Sequence, residues 1–243
     1  MNRLSSATET NDSVQTWKQT FIIDRYGNLK FNTSGGNTTT LGSCPAAECN
    51  PEASTTRNRF STGDGYEYDE NGSLIENAKG ERFTYDMENH QTEFFNESNS
   101  GSTPDATYHY DGDGQRVKKI AGSQVTIFVY NAGGMLVAEY SAEIEGVETA
   151  QVSYLTQDHL GSPRVVTGRD GAVLSRKDYS AFGEELVADE HRSESEEYGG
   201  GEVRKGYTGY EKDGESGLEF AQARYYNTIH GRFTSVDLLT TSS

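Results

Sequence analysis

The feature that most constrains this chain is an aspartate or asparagine that recurs along it, followed three positions later by a turn residue, nearly always glycine. An aspartate side chain can hydrogen-bond to its own backbone two residues on, and glycine supplies the positive φ that a tight turn requires. The flanking residues are rich in Tyr, Phe, Val, Ile and Thr, which favour a β-sheet. Each unit therefore predicts a β-hairpin, and the array predicts a repeat-built β protein. The units are Asp24…Gly27, Asp69…Gly72, Asp86…Asn89, Asp111…Gly114, Asn131…Gly134 and Asp158…Gly161.

The composition is compatible with such a fold. The 243 residues are 33% hydrophobic with a mean hydropathy of −0.78, and much of the apolar content lies in 15 Tyr and 10 Phe. Aromatic side chains can pack across neighbouring strands, so we expect aromatic ladders rather than a thick aliphatic core. No stretch shows a 3.6-residue period. The predicted fold class is all-β: a curved antiparallel sheet of successive hairpins, forming an arc or partial roll, with little helix.

The formal charge of −17 argues against nucleic acid and anionic membranes as partners. No run of 18 apolar residues is present, so we expect no membrane insertion. The start, Met1–Asp12, is rich in Ser and Thr and lacks the apolar core of a signal peptide. These observations predict a cytoplasmic protein if the chain is complete as given, or else a piece of a longer one.

Composition also suggests an organisation along the chain. Residues 1–60 are predicted to be a loosely ordered segment with one hairpin, and residues 61–150 to hold the densest hairpins. Residues 151–239 continue the pattern around an acidic, glycine-rich loop at 187–203, and residues 240–243 form a tail. The predicted strands of the last part are Val152–Leu155, Arg164–Thr167, Val173–Tyr179, Arg204–Tyr210, Leu218–Tyr226 and Arg232–Leu238.

The two cysteines, Cys44 and Cys49, are close enough in sequence to close a small disulfide loop. A metal site is not expected here, because it would need further Cys or His ligands nearby. We interpret the pair as an incidental loop feature.

The repeats resemble the YD repeats of the Rhs (rearrangement-hotspot) proteins, which are bacterial polymorphic-toxin carriers and insecticidal toxin-complex C components, with animal teneurins as relatives. The last third resembles the Rhs repeat-associated core domain more specifically, because six blocks follow in the order of that domain. The resemblance covers roughly residues 20–239. The blocks are Tyr154–Arg164, Tyr179–Glu184, Tyr207–Tyr210, Glu215–Leu218, Ala223–Asn227 and Gly231–Asp237.

The resemblance implies a long sheet of hairpins that is wound into a hollow shell around a toxic C-terminal domain. It assigns a structural role to a set of signature residues. These are Asp69, Gly72, Asp111, Gly114, Asp158, His159, Gly161, Pro163, Arg164, Tyr179, Phe182, Gly183, Tyr207, Gly209, Gly217, Leu218, Ala223, Arg224, Tyr225, Tyr226, Gly231, Arg232 and Phe233.

The chain departs from the family at its C-terminus. Full members carry an aspartic autoprotease with Asp-Pro-x-Gly-Leu-type motifs just after the core. Asp237 matches the first such aspartate, but Leu238 replaces the usual proline and the second motif is missing. Because an aspartic protease needs two carboxylates that share a proton, Asp237 is only a weak catalytic candidate.

Other possible sites have simpler structural interpretations. Asp158-His159 could suggest acid–base chemistry, but its place in a predicted turn favours backbone capping. Asp111-Gly-Asp-Gly114 lacks the further ligands of a calcium loop. Arg224 could stack on neighbouring tyrosines or pair with an acid such as Asp213 or Glu215. No phosphate loop, nucleophile elbow or zinc motif is present, so we expect no cofactor or metal.

The sequence therefore predicts a non-enzymatic shell segment of an Rhs carrier that encapsulates or presents a C-terminal toxin. Its expected partners are the rest of the shell and the toxin polypeptide, with self-association through open sheet edges as a further possibility. The full-length parent would be secreted or displayed on the cell surface. The alternatives are a self-cleaving aspartic protease core, a carbohydrate- or receptor-binding module of the cell surface, and a degenerate gene remnant.

Overall fold

A computed structural model describes residues 3–32, 45–134, 136–141, 152–186, 192, 197–198 and 203–237. In these ranges the protein is nearly all β, with one four-residue helix, α1 (Ala46–Cys49), and 3₁₀ turns at Thr62–Asp64 and Tyr207–Gly209. The strands are β1 (Ser6–Asn11), β2 (Val14–Ile23), β3 (Leu29–Phe31), β4 (Glu67–Tyr68), β5 (Leu74–Glu76), β6 (Arg82–Tyr85), β7 (Gln91–Phe95), β8 (Ala106–Tyr110), β9 (Arg116–Ala121), β10 (Gln124–Tyr130), β11 (Leu136–Ser141), β12 (Ser153–Gln157), β13 (Pro163–Gly168), β14 (Val173–Arg176), β15 (Asp178–Tyr179), β16 (Glu185–Leu186), β17 (Glu211–Lys212), β18 (Glu219–Ala221), β19 (Arg224–Asn227) and β20 (Arg232–Phe233).

Within each sheet, strands that are consecutive in the chain pair with each other. The largest sheet has eight strands in chain order from β4 to β11, and smaller sheets are β1-β2-β3, β12-β13-β14, β15-β16 and β17-β18-β19-β20. The strand pairs with a described register are antiparallel. The all-β antiparallel fold class with little helix is confirmed.

Two compact units make up the chain. Unit 1 comprises residues 1–64, 153–209 and 228–232, and unit 2 comprises residues 65–152, 210–227 and 233–243. The domain boundaries inferred from composition, near residues 60, 150 and 239, stay a prediction.

The turn headed by Asp111 shows how each hairpin is closed. The backbone N–H of Asp111 donates to the carbonyl of Gln115 at 2.9 Å, and the N–H of Gly114 donates to the carbonyl of Asp111 at 3.1 Å. The Oδ1 atom of Asp111 accepts from the N–H groups of Asp113 (3.0 Å) and Gln115 (2.9 Å). Gly114 has φ +77. This is a three-residue loop that ends in a left-handed residue and a bulge, and the register shifts just before the turn, between His109 and Tyr110.

The same construction is found at turns that the Asp-x-x-Gly pattern did not include. Asn77 and Ser180 head equivalent turns, because each has a side-chain oxygen that accepts from the backbone N–H four residues on. Asp213 heads a turn that is one residue longer and ends at Gly217, which has φ +69. The turn therefore requires a short oxygen-bearing side chain rather than aspartate itself.

Several predicted strands differ from the observed ones. β1 was not predicted, because its Ser/Thr-rich sequence lacks large apolar residues. The predicted strand Leu218–Tyr226 is two strands, β18 and β19, because the chain reverses at Gln222 with φ +68. The predicted strand Arg204–Tyr210 contains a 3₁₀ turn in which Thr208 has φ +54, and Arg232–Leu238 shortens to β20.

Side chains of β10 alternate between buried and exposed, and the buried face is the one that carries Thr126 and Phe128 rather than the one with Ile127 and Val129. Thr126 and Phe128 are each 3% exposed, whereas Ile127 and Val129 are each 39% exposed. Most of the acidic 187–203 loop and all of the 240–243 tail lie outside the described residues. No helix in the described part of the chain is long and apolar enough to cross a membrane.

The turn chemistry predicts a difference between two substitutions at one position. Asp111→Ala removes the acceptor of two backbone N–H groups and should lower the free energy of unfolding by about 1–2 kcal/mol. Asp111→Asn should retain most of the stability, because Asn131 heads an equivalent turn. Denaturant unfolding would measure both, with Asp113→Ala, which removes an exposed turn side chain, as the control. Equal losses for the Ala and Asn variants would contradict this explanation.

Candidate functional site

Neighbouring hairpins of the eight-stranded sheet are joined by tyrosines that precede the turn heads. The hydroxyl of Tyr110 donates to the carbonyl of Gln91 at 2.7 Å, and the hydroxyl of Tyr130 donates to the carbonyl of Arg116 at 2.9 Å. In both cases the acceptor is the fifth residue after the preceding turn head. At these two hairpins the tyrosine therefore connects the hairpin to the one before it, which gives a reason for its place next to the turn head.

The turns themselves also pack on one another. His90 follows the Asp86 turn and stacks on the Tyr110 ring with a centroid distance of 4.7 Å. A Cβ atom added to Gly114 would lie 2.9 Å from Nε2 of His90, and one added to Gly134 would lie 2.9 Å from Nε2 of Gln115. Gly114 and Gly134 thus combine a positive φ with a close approach of a side chain from the neighbouring turn.

A buried ion network lies in unit 2, and we call its five charged residues the Arg116 cluster: Arg116, Lys119, Glu211, Asp213 and Glu215. Arg116 contacts Asp213 through Nη1 and Glu211 through Nη2, the latter at 3.0 Å. The Nζ atom of Lys119 lies 2.7 Å from Asp213 and 3.1 Å from Glu215. Arg116 and Asp213 are both fully buried.

Aromatic rings enclose this cluster. The Arg116 guanidinium lies 4.1 Å from the ring centroid of Phe220 and 4.9 Å from that of Phe128. Its Nη1 donates to the hydroxyl of Tyr225 at 2.7 Å, and the hydroxyl of Tyr108 donates to Glu215 at 3.0 Å. The apolar walls strengthen the ionic contacts and also raise the cost of leaving any charge unpaired.

The electrostatics of the cluster favour fixed charges over proton transfer. Burial acts to lower the pKa of Arg116, but Tyr225, Asp213 and Glu211 outweigh it and raise that pKa well above its ordinary value. Burial, together with Asp213, raises the pKa values of Tyr108 and Tyr225 well above the ordinary value. The pKa values of Arg116, Tyr108 and Tyr225 therefore lie further from neutral pH than usual, which suits a structural rather than an acid–base role.

Sequence reasoning did not single out Arg116 or Lys119. A signal for Arg116 was present, because the fifth residue after a turn head is repeatedly buried. A guanidinium at that core position requires partners, and the turn headed by Asp213 supplies them. The buried residues at this repeat position include Leu29, Leu74, Gln91, Arg116, Pro163 and Leu218.

Two signature blocks meet in unit 1 around the Asp158 turn. Oδ1 of Asp158 accepts from the N–H groups of Leu160 and Ser162, while His159 is exposed. The hydroxyl of Ser162 accepts from the N–H of Thr208 at 2.9 Å, and a Cβ atom added to Gly209 would lie 3.4 Å from the carbonyl of Gly161. The arrangement therefore favours turn capping over acid–base chemistry for Asp158-His159.

A second contact in unit 1 explains the glycine of the Tyr179–Glu184 block. Gly183 lies so close to the Tyr207 ring that a Cβ atom would be 2.4 Å from Cδ1. The Tyr207 ring also packs against Tyr179 at 5.9 Å. Phe182 contacts Phe21 edge-on at 5.1 Å and lies over Gly231, where an added Cβ atom would be 3.1 Å from its ring.

A smaller ion cluster in unit 1 centres on Asp178. It pairs with Arg164 and with Nε of Arg192 (3.0 Å), and it accepts a hydrogen bond from the hydroxyl of Tyr198 at 3.1 Å. Arg192 is 4% exposed and also pairs with Glu9. The signature residue Arg164 is thus one arm of a network that connects distant parts of the sequence.

Arg224 pairs with a different acid from the two suggested by the sequence. Its guanidinium lies 3.1 Å from Asp237 and 4.0 Å from the ring centroid of Phe233, whereas Asp213 and Glu215 belong to the Arg116 cluster. The weak catalytic candidate Asp237 is therefore in an ion pair with a guanidinium.

The other signature residues have packing or turn roles. Tyr226 packs edge-on against Phe233 at 5.4 Å, and Arg232 lies 4.6 Å from the ring centroid of Phe60. Leu218 is 5% exposed, and Ala223 lies in the turn between β18 and β19. Which signature residues are essential stays a prediction.

The described residues include no group of three or more His, Cys, Asp or Glu side chains that could hold a metal ion. Cys49 is disulfide-bonded, and the only other cysteine in the sequence, Cys44, lies outside the described residues. The adjacent Asn50 caps the edge of β3, because its side-chain amide donates to and accepts from the backbone of Phe31, both at 2.9 Å.

Comparison with known proteins gave no matching family model. The chain is 27% identical over 187 residues to the tRNA3(Ser)-specific nuclease WapA of Bacillus spizizenii and 26% identical to the tRNA nuclease WapA of Bacillus subtilis. The matches cover 70% of this chain and 8% of each relative. WapA nucleases are Rhs-family polymorphic toxins.

Solved structures show the same fold. A chain in the Tc holotoxin pore of Photorhabdus luminescens, which contains TccC3, superposes with a TM-score of 0.66 at 21% identity, and one in a TcdB2–TccC3 crystal structure superposes with 0.67. Both matches cover 93% of this chain and 12% of the solved one. TccC3 is an Rhs/YD-repeat protein. The resemblance to the Rhs, or YD-repeat, proteins is confirmed. The chain spans about a tenth of the length of the proteins it matches.

The first prediction for the site concerns the stability of the fold at low pH. The side chain and backbone of Asn28 lower the pKa of Asp24 below its usual 3.8. A carboxyl group whose pKa is lowered in the folded state stabilises the fold at pH values above its unfolded-state pKa. This stabilisation is lost as the pH falls through the lowered, folded-state pKa. Stability measured by denaturant unfolding between about pH 5 and pH 2 should thus fall less steeply in Asp24→Asn than in wild type. Identical slopes for Asp24→Asn and wild type would contradict the prediction.

The second prediction concerns the Arg116 cluster. Arg116→Met leaves Glu211 and Asp213 buried without the guanidinium and should cost about 3–5 kcal/mol in the unfolding of unit 2. Exposed Arg169→Met should change stability by less than about 0.5 kcal/mol. Chemical denaturation of both variants measures the difference. A loss below about 1 kcal/mol for Arg116→Met would show that the cluster is not a stabilising anchor.

The third prediction separates a steric contact from backbone strain. Gly171 and Gly183 have similar φ values of +83 and +95, but no atom lies within 4 Å of a Cβ built on Gly171. Gly171→Ala should therefore cost about 1–2 kcal/mol from φ alone. Gly183→Ala should cost a further 1–3 kcal/mol, roughly, because its methyl group overlaps the Tyr207 ring. Equal melting temperatures for the two variants would contradict the contact.

Proposed function

We propose that this chain is a non-enzymatic wall segment of an Rhs toxin carrier, and that the wall confines a toxin polypeptide located C-terminal to it. The observation that carries the proposal is the repeated connection between hairpins: turn heads recur along the chain, and Tyr110 and Tyr130 each join a hairpin to the one before it. Such a wall grows by adding identical units and needs no chemistry from its side chains. Its partners are the rest of the shell and the enclosed toxin.

The geometry of the acidic residues supports a non-enzymatic role for this segment. The Arg116 cluster pairs its carboxylates with Arg116 and Lys119, and Asp237 pairs with Arg224. A proton-sharing aspartate pair would instead need two carboxylates in contact. We assign the nuclease activity named for the WapA proteins to parts of those proteins beyond the matched region.

The genomic reading frame that contains this chain provides the test. The proposal expects a variable domain downstream of the shell region, which is protected from protease when the whole frame is expressed and is digested when expressed alone. A downstream domain that is digested equally fast in both settings would contradict confinement. A reading frame that ends at Ser243 would instead favour the gene remnant.

Intact-mass spectrometry tests the absence of self-cleavage separately. The purified chain should keep one intact mass at neutral and mildly acidic pH, and Asp237→Asn should behave identically. A cut after Asp237 in wild type that is absent from Asp237→Asn would establish an aspartic autoprotease instead.

A further inference from the structure

Strand β12 differs from the other strands of unit 1 because all five of its residues, from Ser153 to Gln157, are exposed. Among the strands that the structure describes, it lies at the edge of the sheet β12-β13-β14. Two large apolar side chains point from it, Tyr154 at 57% exposure and Leu155 at 37%. An edge strand offers a row of backbone N–H and C=O groups, and apolar side chains beside them make it a template for pairing.

The opposite edge of the same sheet is covered. The N–H of Arg176 on β14 donates to the carbonyl of Glu197 at 2.9 Å, and Arg176 forms a parallel bridge with Tyr198. The edge strand β3 is covered by the Asn50 side chain. β12 contains no charged residue, although 24% of the chain is Asp, Glu, Lys or Arg, and charge is a common way to protect an edge.

The apolar layer under the sheet reaches β12 but is not completed there. Leu155 pairs with Val166 of β13, which is 1% exposed. On this side of the sheet, the side chain of Val166 on β13 is thus fully buried, whereas its neighbour Leu155 on β12 is more than one-third exposed. A further strand beside β12, with an apolar residue opposite Leu155, would continue that layer.

We propose that β12 pairs with β12 of a second copy of this chain, antiparallel, about a two-fold axis at Leu155. In that register Leu155 faces Leu155, Tyr154 faces Thr156, and Ser153 faces Gln157. The strand is self-complementary: each half-exposed leucine covers the other, and the tyrosines face β-branched residues, a favourable cross-strand pair. A closed two-fold contact of this kind produces a dimer and not a filament.

The net charge of the chain makes dimer formation depend on ionic strength. Two copies of net charge −17 repel each other at long range, whereas the interface itself carries no like charges. Salt screens the long-range repulsion. Dimer formation should therefore strengthen as ionic strength rises, the opposite of an interface held by ion pairs. This inference does not depend on the proposed role as a toxin carrier.

Sedimentation velocity of the full chain, at rising protein concentration in low and high salt, tests the proposal. Wild type should shift from monomer to dimer, at lower concentration in high salt. Leu155→Lys places two positive charges together at the axis and should remain monomeric, with an unchanged circular dichroism spectrum. Leu174→Lys, at a 44% exposed leucine on β14 of the same sheet, should dimerise like wild type.

A cysteine variant gives an independent measurement. Facing residues of an antiparallel pair have Cα atoms about 4.5–5.5 Å apart, within disulfide range. Leu155→Cys should thus form a covalent dimer on mild oxidation, and Leu174→Cys should not. A wild-type chain that stays monomeric up to about 1 mM would overturn the proposal. So would a dimer unaffected by Leu155→Lys, or equal cross-linking of the two cysteine variants.

Discussion

The structure depends on the capture of backbone N–H groups by the side chain that heads each turn. At Asp69, Asp86 and Asp111, Oδ1 accepts from the N–H of the residue four positions later, which is the residue after the left-handed turn position. This bond sets the length of the loop and hence the register of the hairpin. Because the register is fixed, the fifth residue after these three heads (Leu74, Gln91 and Arg116) is buried, and Tyr110, which precedes the Asp111 turn, reaches the neighbouring hairpin.

The second constraint is a charge at a core position. Where the hairpins headed by Asp24 and Asp69 have leucine at the fifth position, β9 has Arg116, which is fully buried. Such a charge is costly unless it is paired and hydrogen-bonded, and Asp213, Glu211 and Tyr225 supply the partners. An ionic contact is more selective than an aliphatic one, because a shifted strand would leave charges unpaired. The network therefore fixes where residues 210–227 pack within unit 2.

The sequence was sufficient for features determined by a few neighbouring residues. The turn heads, their glycines and most strands of the eight-stranded sheet could be predicted, since Asp-x-x-Gly and the aromatic flanks act locally. The buried face of β10 could not, because Phe128 is buried by its contact with Arg116 rather than by its alternation with valine and isoleucine. The partner of Arg224 was wrongly predicted for a similar reason. The chain reversal at Gln222 brings Phe233 and Asp237 to it, and no local signal marks that reversal.

The same reasoning supports the proposed role of this chain as a wall segment. A shell that confines a polypeptide would need a backbone ladder closed at every turn, and several acidic side chains of the described residues head turns or belong to ion networks. The most direct measurement is amide hydrogen exchange by NMR at Ser73, His90 and Gln115, whose N–H groups donate to the turn-head carboxylates. The account predicts slow exchange at all three, with protection lost at Gln115 alone in Asp111→Ala. Fast exchange at these amides in the folded wild-type protein would contradict it.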